Sequence, residues 1–229
     1  MLKIGGYQKL TLLDFPGKLA CTVFLPGCNF RCPFCHNSEL FVPSEIYDED
    51  MVLDMIRGRA SKLEGVAITG GEPTLSPELP DFMRKIKEMG LAVKLDSNGY
   101  NPDILRKIID EGLVDYVAMD IKSSKEHYGE VAGLPGIDMG RICESVDMLM
   151  SGVVPFEFRT TVVPELHSEE DFAAIGEWIC GNEPYYLQGF VDSEMVYERK
   201  FSQPSPALME SIRQIVLPYV PNTQIRGVD

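Results

Sequence analysis

This 229-residue chain is short of several things, and each shortage removes a class of function. No apolar run approaches the ~20 residues that a membrane span requires, so no membrane-embedded protein is expected. Positive charge is scarce. Lys and Arg number 21 against 35 Asp and Glu, for a formal net charge of −14, and no basic stripe offsets it locally. Such a surface repels a phosphate backbone, which argues against a nucleic-acid partner, while acidity by itself asks for nothing beyond solubility. The start, "MLKIGGYQKLTLLDFPG", lacks the basic region, continuous apolar stretch and small-residue cleavage site of a secretory leader, so a cytoplasmic location is expected. There is also no abrupt shift in composition that would divide the chain, and residues 1–229 read as one domain.

Hydrophobic residues at 45% and charged residues at 24% are ordinary for a globular protein. Short runs rich in Val, Ile and Phe recur at 20–27, 65–71, 91–99, 114–122, 156–164 and 185–192, each with the character of a buried strand. Between them lie segments of helical spacing at 48–63, 76–90, 101–112, 139–152 and 168–181, with a last helix near 204–217. Ser168 and Asp171 have the spacing of a helix cap and its acidic partner, and Gly90, Gly112, Gly152 and Gly181 stand where C-terminal caps belong. Six alternations of strand and helix predict an α/β fold with a parallel sheet, and six are fewer than the eight of a closed barrel. An open partial barrel is expected.

In such folds the functional loops lie at the C-terminal edge of the strands. "GCNFRCPFCHN" (27–37) follows the first predicted strand, "GGEP" the second, "DSNG" ends the third and "MDIK" the fourth, so these signals should meet on one rim. Six cysteines include three in one loop, Cys28, Cys32 and Cys35, while Cys21, Cys143 and Cys180 are scattered and read as buried small residues. That distribution fits a metal site in a reducing compartment better than disulfides. Three thiolates can hold three irons of a cubane cluster and leave the fourth open, whereas structural zinc asks for four ligands and would need His36 or a distant residue.

The spacing C-x3-C-x-aromatic-C in "CNFRCPFC", together with "GGEP", resembles the radical S-adenosylmethionine superfamily. The extension to "CHN", followed by "LDSNG" and "MDIK", is similar to the activating enzymes of glycyl radical enzymes. The resemblance runs from Asp14 to Lys122, extends through "RTTVVP" (159–164), and is weakest after Gln188. It implies a partial (β/α)6 TIM-like barrel and an oxidoreductase with a [4Fe-4S] cluster. Its open iron would be chelated by S-adenosylmethionine, whose reductive cleavage gives a 5′-deoxyadenosyl radical. It implies Cys28, Cys32 and Cys35 as cluster ligands, and Phe34, His36, Gly70, Gly71, Glu72, Asp96, Ser97, Asp120 and Lys122 as residues around S-adenosylmethionine. Asp96 and Asp120 would also hold a monovalent cation, as the formate-lyase activase pattern suggests. Asp14 corresponds to an acidic residue that meets the partner's glycine loop, although a turn residue ahead of Pro16 would look the same.

The implied partner is a glycyl radical enzyme, with a flavodoxin or ferredoxin-like electron donor. Val191 stands where a formate-lyase activase has histidine, and "LQGF" resembles the anaerobic ribonucleotide reductase activases, which makes that reductase the expected target. Residues 36–69 contain no cysteine, so a single cluster is expected. The alternatives are a formate-lyase-like target, a metabolite substrate as in deazaguanine synthases, and a zinc-stabilised binding module without turnover. Arg159 reads as rim or salt bridge, His127 and His167 as surface loop residues, and Met148, Met150 and Trp178 as core.

Overall fold

The chain begins with strands β1 (Gly6–Thr11) and β2 (Ala20–Leu25) and then alternates. Helix α1 (Glu49–Arg57) precedes β3 (Gly65–Gly70), α2 (Leu79–Glu88) precedes β4 (Ala92–Ser97), and α3 (Pro102–Asp110) precedes β5 (Tyr116–Asp120). A short α4 (Tyr128–Val131) and α5 (Met139–Met150) lead to β6 (Phe156–Val162), α6 (Glu169–Trp178) to β7 (Tyr185–Gly189), and α7 (Pro206–Val216) to β8 (Thr223–Arg226). The computed structural model describes residues 1–227. All eight strands join one sheet in sequential order, with β1 antiparallel to β2 and every later pair parallel. The order runs from β1 at one edge to β8 at the other, which leaves the sheet open among the described residues.

Strands β2 to β7 are the six expected from the sequence. Edge strands β1 and β8 were not expected, because neither carries an apolar run: β1 reads GYQKLT with only Thr11 buried, and β8 is the four-residue TQIR. The sheet has two unlike faces. Along β3 to β5, Val66, Ile68, Val93, Leu95, Val117 and Met119 are fully buried and join the core. The alternate positions are small or polar: Ala67 and Thr69 on β3, Lys94 and Asp96 on β4, Tyr116, Ala118 and Asp120 on β5, Glu157 and Arg159 on β6. A parallel sheet packed on both faces would be apolar throughout, so this polar face marks the interior of the open barrel.

Helix ends follow local chemistry. The Asp48 carboxylate accepts from the amides of Asp50 and Met51 at the start of α1, and Ser205 accepts from Leu208 at the start of α7. Gly90, Gly112 and Gly152 take φ of 79°, 65° and 76° just past α2, α3 and α5. Gly181 does not, because α6 ends earlier at Trp178 and the Gly181 amide donates to Tyr219 instead. Met148 is buried, but Met150 is exposed at the end of α5, and Trp178 is half-buried against Tyr128 with the Lys125 ammonium over its ring. Of the scattered cysteines only Cys21 is buried; Cys143 is partly exposed and Cys180 exposed, and all six are free thiols. Among the described residues no helix is long and apolar enough to cross a membrane.

The cap of α6 is a reciprocal box in which Ser168 Oγ accepts from the Asp171 amide at 3.2 Å and Asp171 accepts from the Ser168 amide at 2.9 Å. The Asp171 carboxylate also accepts from Ser124 and lies 2.7 Å from His127 Nδ1. Burial alone would raise its pKa, but these donors, Ser124 foremost, hold it well below the usual carboxylate range. A carboxyl depressed in the folded state adds stability above its unfolded pKa near ~4, and loses it as pH falls toward the folded value. Asp171→Asn is therefore expected to cost about 2 kcal/mol at pH 7 in urea unfolding, with the gap to wild type narrowing below about pH 4. A gap that stays constant from pH 7 to pH 3 would contradict the assignment.

Candidate active site

Beyond Leu25 the chain enters the cysteine loop, which is held mostly by its neighbours. Gly27 donates to the Leu40 carbonyl at 2.7 Å, and the Arg31 amide donates to Ala132 O at 3.0 Å. The Arg31 guanidinium donates back to the carbonyls of Cys28 and Phe30, at 2.6 and 2.7 Å, and lies over the Phe41 ring. Two further bonds come from the segment after β7: the Tyr197 amide donates to Cys35 O at 3.0 Å and the Glu198 amide to Pro33 O at 2.8 Å. Phe190, at the end of β7, packs its ring 5.4 Å from His36.

The second anchor is the turn after β3. The amides of Gly71 and Glu72 donate to Leu25 O and Gly27 O at 2.9 and 2.8 Å, and Asn37 Nδ2 donates to Gly70 O at 3.0 Å. This contact explains the glycine pair. A Cβ on Gly70, which has φ of 123°, would lie 2.4 Å from Leu25 O, and one on Gly71 would lie 2.0 Å from Gly27 O. The close approach that excludes a side chain is thus to the neighbouring backbone of the chain itself. Asn98 Nδ2 donates to Asn29 Oδ1 at 2.8 Å and ties in the loop after β4.

These loops surround a cavity of about 260 Å³ at the C-terminal edge of the sheet. Cys28, Cys32, Cys35, Phe34 and His36 line it from one side, Gly70 and Gly71 from β3, Asp96 and Ser97 from β4, Asp120 and Lys122 from β5. Asn98 of "DSNG", Arg159 and Thr161 from β6, Gln188 from β7, and Phe30, Asn37, Phe41 and Thr69 also line it; Arg159, read as rim or salt bridge, is both, while Thr161 and Gln188 were not singled out as site residues in the sequence. The signal for Arg159 was available. In "FEFRTTV" Phe156 and Phe158 are buried apolar residues and Glu157 and Arg159 alternate with them, which places the charged pair on the other face of β6.

Two expected site residues lie elsewhere. Glu72 does not line the cavity. Its buried carboxylate accepts from the Thr74 amide and hydroxyl at 3.1 and 2.6 Å, from Ser97 Oγ at 2.9 Å and from the Asn98 amide at 2.6 Å, so it laces the turn after β3 to the end of β4. Asp14 lies in the β1–β2 turn and accepts from Thr22 on β2. Thr22 is three residues before Leu25, so Asp14 sits roughly 10 Å below the rim and does not join the cavity. Val191 is exposed beyond β7, outside the cavity lining. His167 is more than a surface residue, since Nε2 lies 2.8 Å from the Lys122 carbonyl.

Charge on the cavity floor alternates. Lys94 pairs with Asp96; Asp96 Oδ2 meets Arg159 Nη1 at 3.3 Å; Arg159 Nε donates to Asp120 Oδ1 at 3.0 Å; Asp120 Oδ2 accepts from Lys122 Nζ at 3.0 Å. Burial opposes ionisation of Asp120, but Lys122 and then Arg159 outweigh it and hold the carboxyl at about 2. At Asp96 the same contest, with Arg159 and Lys94 on the other side, also ends below the usual carboxylate value. Burial pushes the thiols the other way, Cys28 up to about 11 and Cys32 up to about 12. Among the described residues no three His, Cys, Asp or Glu side chains converge on the position of a single metal ion. The three thiols border a cavity instead of enclosing an atom.

Glu72→Ala would leave the Thr74, Ser97 and Asn98 donors buried without their acceptor. It is expected to lower stability by about 2–4 kcal/mol in chemical denaturation, with Glu72→Gln losing less. A loss below about 0.5 kcal/mol for the alanine variant would show that this carboxylate does not lace the two loops together.

The Radical SAM superfamily profile matches residues 22–179. A Methanocaldococcus jannaschii protein provisionally named a glycyl-radical enzyme activating enzyme is 30% identical over 234 positions, covering 99% of this chain and 96% of that protein. The pyruvate formate-lyase 1-activating enzyme of Escherichia coli is 29% identical over 190 positions, 77% of this chain and 74% of that enzyme. Among solved structures, Streptococcus suis SuiB bound to S-adenosylmethionine superposes with a TM-score of 0.67 over 87% of this chain at 12% identity, a likeness of fold. This chain spans 48% of SuiB. A zinc-stabilised module without turnover is set aside by these relatives. The chain belongs to the radical SAM superfamily, whose enzymes use a [4Fe-4S] cluster and S-adenosylmethionine, and within it to the glycyl-radical enzyme activating enzymes.

Proposed function

We propose that Cys28, Cys32 and Cys35 ligate the cluster, that the neighbouring cavity receives S-adenosylmethionine, and that this chain activates an anaerobic ribonucleotide reductase by generating a radical on a backbone glycine. The observation that carries the site reading is one cavity that gathers three thiols, a glycine turn and alternating charges from segments nearly a hundred residues apart, Cys28 to Lys122. The residues fit the cofactor pair. Three thiols bordering one cavity suit a cluster with one open iron. When bound, cluster and S-adenosylmethionine together supply a reductive cleavage whose product abstracts a hydrogen atom.

The chain's own residues bind and orient. An α-amino acid group carries an ammonium and a carboxylate; Lys122 offers an ammonium to the carboxylate, and Asp96 and Asp120 border the same space. Phe34, His36, Ser97, Gly70 and Gly71 border the same space. The open interval between the β1 and β8 edges leaves a way in for a polypeptide loop, which a closed barrel would deny. The electron comes from a flavodoxin or ferredoxin-like donor, in a reducing cytoplasm compatible with six free thiols.

The choice of reductase is supported by the end of β7 and the residues after it, where "LQGF" resembles the anaerobic ribonucleotide reductase activases, Gln188 lines the cavity, Phe190 packs against His36, and exposed Val191 corresponds to a histidine of formate-lyase activases. A formate-lyase-like target is the second reading, favoured by the 29% identity to the E. coli activating enzyme. Incubation of the reduced protein with S-adenosylmethionine and each purified candidate should give a glycyl radical doublet in electron spin resonance with the anaerobic reductase. A doublet only with the formate-lyase-like enzyme reverses the choice, and none with any glycyl radical enzyme sinks the activase reading for this chain.

Anaerobic reconstitution of wild type should give a brown protein with about four irons per chain. Cys32→Ala should lose that cluster, whereas Cys143→Ala should keep it. Loss of iron in the second variant would refute the ligand assignment.

A further inference from the structure

A lysine on the interior of a parallel strand needs a reason, because an unpaired buried ammonium is costly. Lys94 is 2% exposed, in the middle of β4, in register with Ala67 on β3 and Tyr116 on β5. Two residues on, and therefore on the same face, is Asp96, whose carboxylate receives the Lys94 ammonium. The Asp96 Oδ2 atom faces Arg159 Nη1 at 3.3 Å, Asp120 Oδ1 faces Arg159 Nε at 3.0 Å, and Asp120 Oδ2 faces Lys122 Nζ at 3.0 Å. Each of the four carboxylate oxygens therefore has a cationic nitrogen of its own. The five side chains sum to three positive and two negative charges.

Such a floor is a poor host for a monovalent metal ion. An ion between Asp96 and Asp120 would compete with the Arg159 guanidinium for the same oxygens, and would add a second uncompensated positive charge in a poorly solvated place. We infer that Lys94 is a built-in cation: with Arg159 it takes the place that a bound sodium or potassium ion would have beside Asp96 and Asp120, so this chain holds S-adenosylmethionine without a monovalent metal. Lys94 is not itself in the cavity lining and acts as a positioning residue, fixing the orientation and charge of Asp96 from beneath.

The inference rests on reading the cavity as the S-adenosylmethionine site, and its test separates the two. Binding of S-adenosylmethionine to the cluster-loaded protein is measured by calorimetry in potassium, sodium and tetramethylammonium chloride at equal ionic strength. The last cation is too large to enter. Wild type should bind with a dissociation constant equal within about twofold in all three salts, and Lys94→Met should bind about tenfold or more tightly in potassium or sodium than in tetramethylammonium. Lys94→Arg should restore indifference to the salt, a rescue that a merely structural role does not predict. Melting temperatures without S-adenosylmethionine form the second arm: wild type should be insensitive to the choice of cation and Lys94→Met stabilised by the small ones. If S-adenosylmethionine binds in no salt, the site reading fails and the melting arm still decides the inference. Tighter binding or higher melting of wild type in potassium or sodium overturns it, as does a folded Lys94→Met without salt preference in either arm. Should the methionine variant not fold, Lys94→Gln replaces it and the wild-type arms stand unchanged.

Discussion

The cysteine loop has no regular structure of its own, and its place depends on backbone contact with the turn after β3. Glu72 N donates to Gly27 O at 2.8 Å, and no side chain can stand between them, since a Cβ on Gly71 would be 2.0 Å from the same oxygen. From this contact the rest of the site is built outward. Asn37 adds a bond to Gly70 O, Glu72 reaches across to Ser97 and Asn98, and Asn98 returns to Asn29. The ring of bonds closes through the cysteine loop, the turn after β3 and the loop after β4, so a shift in any one must be taken up by the other two. Buried polar networks of this kind rigidify when every member is satisfied.

Electrostatics on the inner face follow a related logic. Residues that alternate with the apolar core positions of β4, β5 and β6 carry the charge. Charged groups so poorly hydrated are tolerable only in partnership, and the order Lys94, Asp96, Arg159, Asp120, Lys122 gives each a neighbour of opposite sign. Depressed carboxyl pKa values at Asp96 and Asp120 mean that both remain anionic across the physiological range. The barrel interior is thus a fixed arrangement of charge, set by strand register before any ligand arrives.

How much of this the sequence discloses depends on whether the information is local. Strands β2 to β7 were legible because each buries an apolar run, while β1 and β8 gain their pairing only from neighbours and leave no such trace. The cysteines, the glycine turn and the strand-end charges were legible as motifs. Their reasons were partly hidden: the resemblance implies Gly70 and Gly71 only as residues around S-adenosylmethionine, and the structure shows them making room for Leu25 and Gly27. Asn37 enters the sequence only as the last letter of "CHN", and in the structure it is a tie across 33 residues to Gly70. Glu72 looked like a ligand-facing residue, but its four bonds face inward. Tertiary hydrogen bonds of this sort have no sequence period, so pattern alone does not separate a carboxylate that binds from one that braces.

The segment after β7 carries the same lesson to its limit. It lies beyond residue 179, where the superfamily profile ends, and beyond Gln188, where the motif resemblance fades. Yet it delivers two bonds to the cysteine loop, from Tyr197 to Cys35 and from Glu198 to Pro33, and a third contact from Ser38 Oγ to the Met195 carbonyl at 2.6 Å. The first two run from backbone amide to backbone carbonyl. Bonds of that kind constrain the path of the chain and leave the side chains free, so they can hold a loop rich in motifs with a segment that has none. Val191, Met195 and Tyr197 on this segment are 46%, 40% and 50% exposed, and the Tyr197 ring packs edge-on against Phe41 of the cavity wall. The least recognisable stretch of the chain is therefore part of what keeps Cys35 in position.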